Sequence, residues 1–177
     1  IDTSTVQEMA LGAADAPVTV IEYASFTCPH CATFHADVLP QLKADYVDTG
    51  KVRFVHREVY FDRYGLWAGM VARCGGETRY FGIADLVYAQ QRDWTSGQPT
   101  EVVEALRRIG RTAGLTNEQL DACLSDGETA QTLVAWYQEH AEADGIDATP
   151  TFIIDGQKYS NMPYADFVEI IDDKLGD

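Results

Sequence analysis

Two cysteines separated by two residues, in Phe26-Thr27-Cys28-Pro29-His30-Cys31, are the residues best placed to do chemistry. They follow the apolar run Val18-Thr19-Val20-Ile21-Glu22-Tyr23-Ala24 and open a segment with helical patterning. At such a strand-to-helix turn a CxxC pair can close a small disulfide ring. The first sulfur sits where the helix N–H groups have no partner, and those groups favour a thiolate. Pro29 suits the first helical position, because its fixed φ fits a helix start and its missing N–H is not needed there. His30 lies between the sulfurs and can add a hydrogen bond or a positive charge. A thiolate stabilised in this way exists only in the reduced form, so the site favours reduction and gives its disulfide away.

Other readings of the pair compete. With His35, one helical turn after Cys31, the two cysteines offer three ligands to zinc. Structural zinc usually takes four, however, and Cys74 and Cys123 are isolated singletons rather than a second CxxC. Residue 32 is Ala rather than His, which excludes covalent haem attachment. A purely structural local disulfide is the remaining alternative. Glu22 is the anomaly of the preceding strand, a carboxylate in a β-branched run that is costly to bury unless paired or protonated. It is either an exposed edge residue or a proton acceptor for Cys31. His56 either approaches Glu22 or is an ordinary half-exposed strand residue.

The elements that must position these groups follow from periodicity. Residues 1–17 look like a partly ordered lead-in closed by the turn Gly12-Ala13-Ala14-Asp15-Ala16-Pro17. The helix from Pro29 carries Phe34, Val38, Leu42 and Tyr46 on one face; Pro40 predicts a kink, and Gly50 a stop. Val52–Val59 is the next strand, in a parallel βαβ unit. From about 62 to 126 only helical stripes occur, built around Leu66, Trp67, Met70, Val71 and Cys74; Tyr80, Phe81, Ala84, Val87 and Tyr88; Val102, Val103, Leu106 and Ile109; and Leu120, Cys123 and Leu124. A long helix over about 128–144, carrying His140 as a flank residue, ends at Gly145. Thr149-Pro150 then precedes the strand Thr151–Ile154, Asp155-Gly156 turns a hairpin, and Pro163 opens a last amphipathic helix. On the residues alone, Pro150 is a proline that starts a strand.

Composition narrows the function further. Of 177 residues, 46% are hydrophobic, enough for a real core, and 13 basic against 28 acidic residues give a formal charge of −15. Nucleic acid and anionic membrane surfaces are therefore poor partners. No apolar run approaches the roughly 18 residues of a membrane span. The N-terminus has neither a basic start nor an apolar stretch, so any targeting segment is expected to have been removed already. Four cysteines suit an oxidising compartment. There Cys74 and Cys123, each late in a helical segment, are expected to form a structural disulfide, with two buried free thiols as the alternative.

The Cys-Pro-His-Cys at 28–31, the helical stretch at 62–126 between a βαβ and a ββα half, and Thr149-Pro150 before a strand together resemble the DsbA family of secreted disulfide oxidoreductases. The resemblance spans nearly the whole chain. It implies an α/β, thioredoxin-like fold formed by residues 1–61 and 127–177, with an inserted all-helical subdomain at 62–126. It also implies Cys28 as the exposed nucleophile, Cys31 as the buried resolving thiol and Pro150 as the cis-proline beside them, with backbone at Thr149 holding an extended peptide. Thr149 stands where the best-known strong oxidants of the family have valine, and a Thr-Pro pair also occurs in isomerase relatives; His56 stands where members often carry lysine. The implied protein is a monomeric, periplasmic or otherwise extracytoplasmic enzyme without a cofactor. It oxidises folding polypeptides with free thiols and is reoxidised by a quinone-linked membrane protein. The alternatives are a disulfide isomerase or reductase, a thiol-based metal-binding protein, and a redox-silent chaperone. The isomerase relatives dimerise through an extra N-terminal domain that 17 residues are too short to supply.

Overall fold

The computed structural model describes residues 1–176. Its centre is a five-stranded sheet in the order β1-β3-β2-β4-β5. The strands are β1 (Met9–Leu11), β2 (Val18–Ala24), β3 (Val52–Glu58), β4 (Thr151–Ile154) and β5 (Gln157–Ser160). β2 and β3 run parallel, while the other pairs are antiparallel. β2 occupies the middle of the sheet, which places Glu22 beside His56 of β3 on one side and Phe152 of β4 on the other.

Residues 1–17 are more than the partly ordered lead-in expected of them. Met9–Leu11 forms an edge strand in register with His56, Val55 and Phe54. Three residues are too few for alternation to show in a sequence, and the pairing is supplied by β3. At the hairpin, Asp155 and Gly156 both adopt positive φ, the backbone that a two-residue turn of this hand requires.

Helix α1 (Pro29–Asp37) follows β2. Pro40 has no N–H for the carbonyl of Ala36, and the helix breaks at Val38 before α2 (Leu39–Leu42) and a π-helical turn over Lys43–Val47. Between β3 and β4 come α3 (Arg63–Arg73), α4 (Glu77–Ala89), α5 (Gln91–Trp94), α6 (Pro99–Thr112), α7 (Asn117–Leu124) and α8 (Gly127–Ala143); α9 (Tyr164–Leu175) closes the chain. Capping boxes at Gln98/Glu101 and Thr116/Gln119 start α6 and α7.

Helix α1 lies between two apolar cores. Phe34 packs with Phe54, Phe152, Phe167 and Leu42 against the sheet and α9. Cys31 and Phe26 belong to the other core, with Tyr80, Ile83, Val87, Tyr88 and Leu106 of α4 and α6. The helix bearing the thiols is therefore enclosed by sheet on one side and by the helices that follow β3 on the other.

Candidate active site

Cys28 is the N-cap of α1 and Pro29 its first residue. The N–H of Cys31 donates to Cys28 Sγ at 3.4 Å, and Cys28 Sγ, in its protonated form, donates to the carbonyl of Thr149 at 3.5 Å. The Thr149–Pro150 bond is cis, and Pro150 is buried. Cys28 is half-buried; Cys31 is 0% exposed; Pro29 and His30 lie at the surface. His30 acts on Cys28 through its main chain, whose N–H favours the thiolate.

Two side chains from later helices clamp this loop. Buried Gln91 donates from its amide nitrogen to the carbonyls of Phe26 and Cys28, both at 2.9 Å. Asp62 caps α3 by accepting from the N–H of Gly65 at 2.8 Å, and it also accepts from Thr27 Oγ1 at 2.9 Å. Neither residue carries a signal in the sequence, because each acts across a long chain separation.

The thiols have opposite environments. The Cys28 thiol is lowered to about 5, chiefly by hydrogen bonding from the Cys31 thiol, with further help from the Thr149 side chain and the N–H groups of Cys31 and His30. Cys31 is pushed far up, first by burial, then by its bond to Cys28 and the nearby charge of Glu22. Cys28 is therefore the thiolate at neutral pH and Cys31 keeps its proton.

Glu22 is 0% exposed in the central strand, which overturns the edge-strand alternative. Its Oε1 lies 2.7 Å from His35 Nε2, and its Oε2 has no hydrogen-bond partner. Burial raises the Glu22 carboxyl. Burial alone would lower His35, but the Glu22 carboxylate and Asp85 lift it to about 9. The pair thus shares a proton. His35, considered above as a zinc ligand with the two cysteines, is committed to Glu22 instead, and these three residues do not converge on one point.

His56 is not half-exposed but 0% exposed. Its Nδ1 is bonded to the hydroxyl of Tyr80 at 2.7 Å and its Nε2 to that of Tyr88 at 2.8 Å, both from α4. Burial lowers it well below the usual imidazole range, so it is neutral. It approaches Glu22 to 3.9 Å. Among the described residues Glu22, His35 and His56 offer atoms within 4.8 Å of one another. Their nearest polar atoms are engaged with each other and with the two tyrosines, an arrangement suited to holding protons.

Away from this loop, Cys74 at the end of α3 and Cys123 in α7 are joined by a disulfide. A sequence model of the thioredoxin family matches residues 4–173. The chain belongs to the thioredoxin family. Among the relatives of this thioredoxin-family chain, a Rickettsia bellii protein named for protein-disulfide oxidoreductase activity is 36% identical over 155 residues, 87% of this chain and 59% of its own length. The disulfide bond formation protein D of Bacillus subtilis is 25% identical over 169 residues, 90% of this chain and 72% of its own length. The chain spans 59% and 62% of the first two curated relatives it matches. The crystal structure of alpha-DsbA1 from Wolbachia pipientis superposes with a TM-score of 0.89 at 29% identity, covering 96% of this chain and 92% of that one. The fold is therefore the thioredoxin fold with added helices, as in DsbA proteins.

Proposed function

We propose that this chain is a thiol:disulfide oxidoreductase that donates the Cys28–Cys31 disulfide to polypeptides with free thiols. The observation that carries this reading is the asymmetry of the pair: a half-exposed Cys28 lowered to about 5 beside a fully buried, protonated Cys31. Such stabilisation belongs to the reduced form alone and makes the disulfide a good donor. The relatives named for disulfide bond formation support the same direction.

In the reaction a substrate thiolate attacks Cys28 Sγ; the substrate–Cys28 bond forms, the Cys28–Cys31 bond breaks and Cys31 leaves with the electron pair. Cys31 then takes a proton, which Glu22 supplies. A second substrate thiolate attacks the substrate sulfur, a substrate disulfide forms and Cys28 leaves as its stabilised thiolate. The Cys31 thiol and Cys28 thiolate now hold the two electrons removed from substrate. Pro29 sets the helix start, His30 contributes its N–H, and Thr149 with Pro150 borders Cys28 where an extended peptide would lie.

The partners that follow are folding polypeptides in an extracytoplasmic, periplasm-like compartment and a quinone-linked membrane reoxidase, with the chain acting as a monomer. No helix in the described residues is long and apolar enough to cross a membrane. Equilibration of Cys28–Cys31 with glutathione, beside oxidation of a dithiol peptide, tests the proposal. A disulfide that persists against excess reduced glutathione and fails to oxidise the peptide would make the protein a reductase. Stoichiometric zinc released on thiol oxidation would favour a metal carrier.

A further inference from the structure

Cys31 is sealed from solvent, and in the mixed disulfide a substrate covers Cys28, so its proton has no direct path through the thiol face. Helix geometry supplies another. Cys31 and His35 are one turn apart on α1 and share a face, with Glu22 of β2 beneath it. Nε2 of His35 meets Glu22 Oε1 at 2.7 Å, while its Nδ1 is buried and has no hydrogen-bond partner. On that side lies a cavity of about 240 Å³, bounded by His35 itself, by Leu39 and Pro40 beyond the helix break, and by Phe81 and Asp85 of α4. Asp85 Oδ1 stands 3.9 Å from Nδ1 on a side chain that is 64% exposed. That gap exceeds a hydrogen bond, but rotation of an exposed carboxylate within ps to ns can close it.

We infer that His35 relays protons between Glu22 and solvent by way of the cavity at Asp85, behind the redox pair. When Cys31 leaves as a thiolate, Glu22 gives it a proton, His35 returns one to Glu22 through Nε2, and Asp85 or buffer restores one to Nδ1. In the reverse direction each transfer runs backward, so protons balance and no further reactant is needed. The other groups facing the His35 ring do not compete. Tyr88 stacks on it at 4.1 Å between ring centres, and neutral His56, at 5.3 Å, has both nitrogens bonded to Tyr80 and Tyr88. Lys43 lines the same cavity with an exposed side chain, and Phe34 and Phe54 are apolar neighbours. His35 is thus a relay residue acting through Glu22, and the inference rests on the dithiol-exchange reading above.

The test is single-turnover oxidation of a synthetic dithiol peptide by the oxidised full chain near neutral pH, with Cys28 titrated separately by alkylation. His35→Ala is expected to slow the turnover at least ~10-fold, less than the roughly 10²–10⁴-fold of direct acid–base groups because it acts through Glu22, leave the Cys28 titration in place, and regain rate with added imidazole. Asp85→Asn is expected to slow it less and to make the rate rise with buffer concentration. Wild type that oxidises the peptide while both variants match it in rate and buffer response would overturn the relay alone. So would a slow His35→Ala protein that imidazole does not speed, or one whose Cys28 titration has moved. Wild type that does not oxidise the peptide overturns the exchange reading and the relay with it. Should His35→Ala not fold, the surface variant Asp85→Asn decides, because a rate that is unchanged and insensitive to buffer rejects the relay.

Discussion

One helical turn separates Cys28 from Cys31, and the difference between them comes from what surrounds each sulfur. Cys28 collects donors at a helix start, whereas Cys31 meets apolar side chains and the charge of Glu22. Brief alkylation of the reduced protein, followed by mass mapping, should label Cys28 with a half-maximal rate near pH 5 and leave Cys31 almost unlabelled. Faster labelling of Cys31 would reverse the assignment. Gln91 should matter at the same scale. Gln91→Leu removes the side-chain donor to the carbonyls of Phe26 and Cys28, the latter keeping the N–H of Ala32, and is expected to cost about 1–3 kcal/mol, measured by denaturant unfolding. If the loop then relaxes, the Cys28 alkylation profile moves to higher pH.

Among the elements, α3 carries the most constraint. Its Cys74 is tied to Cys123 of α7 across 49 positions, and its Arg73 forms a 2.5 Å ion pair with buried Glu58 of β3. Closing a loop of that length stabilises the fold by roughly 4 kcal/mol on the chain-entropy account. Replacing both cysteines with serine should therefore lower thermal stability substantially while leaving peptide oxidation nearly intact. Peptide mapping of the unreduced protein checks the pairing, and a bond from Cys28 to either cysteine would contradict it. Gly69 is the tight point of the same helix. A Cβ there would lie 2.8 Å from Glu58 Oε1 and 3.1 Å from the Tyr60 ring, on groups fixed by Arg73. Gly69→Ala should thus destabilise by about 1–3 kcal/mol, despite the gain of about 1 kcal/mol in helix propensity; urea unfolding would show the sign.

For the molecule as a whole, the redox state and stability are linked. The folded Cys28 thiol lies at about 5 against 9.0 for an unperturbed one. A depressed value stabilises the reduced fold fully above the unfolded value, and this contribution is lost as pH falls through the folded one. The oxidised protein has no Cys28 thiol to titrate. The reduced form is therefore expected to unfold at higher denaturant than the oxidised form near pH 9, with the difference shrinking as pH falls to about 5; above about pH 9 the raised thiol of buried Cys31 works in the opposite direction. A difference that grows on acidification would refute the thiolate account. We propose that residues 62–126 act as a subdomain that completes the site held by residues 1–61 and 127–177, since Gln91, Asp62, Tyr80 and Tyr88 all reach the redox loop or the buried histidines.

The redox turn itself was legible in the sequence: Cys28, Pro29 and Cys31 sit at a strand-to-helix junction whose signals are local. The helical stripes, the capping box at Thr116 and the Asp155-Gly156 turn are local for the same reason, as each depends on residues within a few positions. What Glu22, His35 and His56 do was decided by the tertiary structure. The period of two in Val52-Arg53-Phe54-Val55-His56-Arg57 puts His56 on the face of Val52 and Phe54, but nothing local shows that Tyr80 and Tyr88 of α4 cover that imidazole and bond both of its nitrogens. The Cys31-to-His35 spacing shows that the two share a helix face, and only the central position of β2 shows that the Glu22 carboxylate lies beneath that face. Burial and partnership of a polar side chain depend on segments far away in the chain, and a sequence pattern carries the period of an element without naming what packs against it.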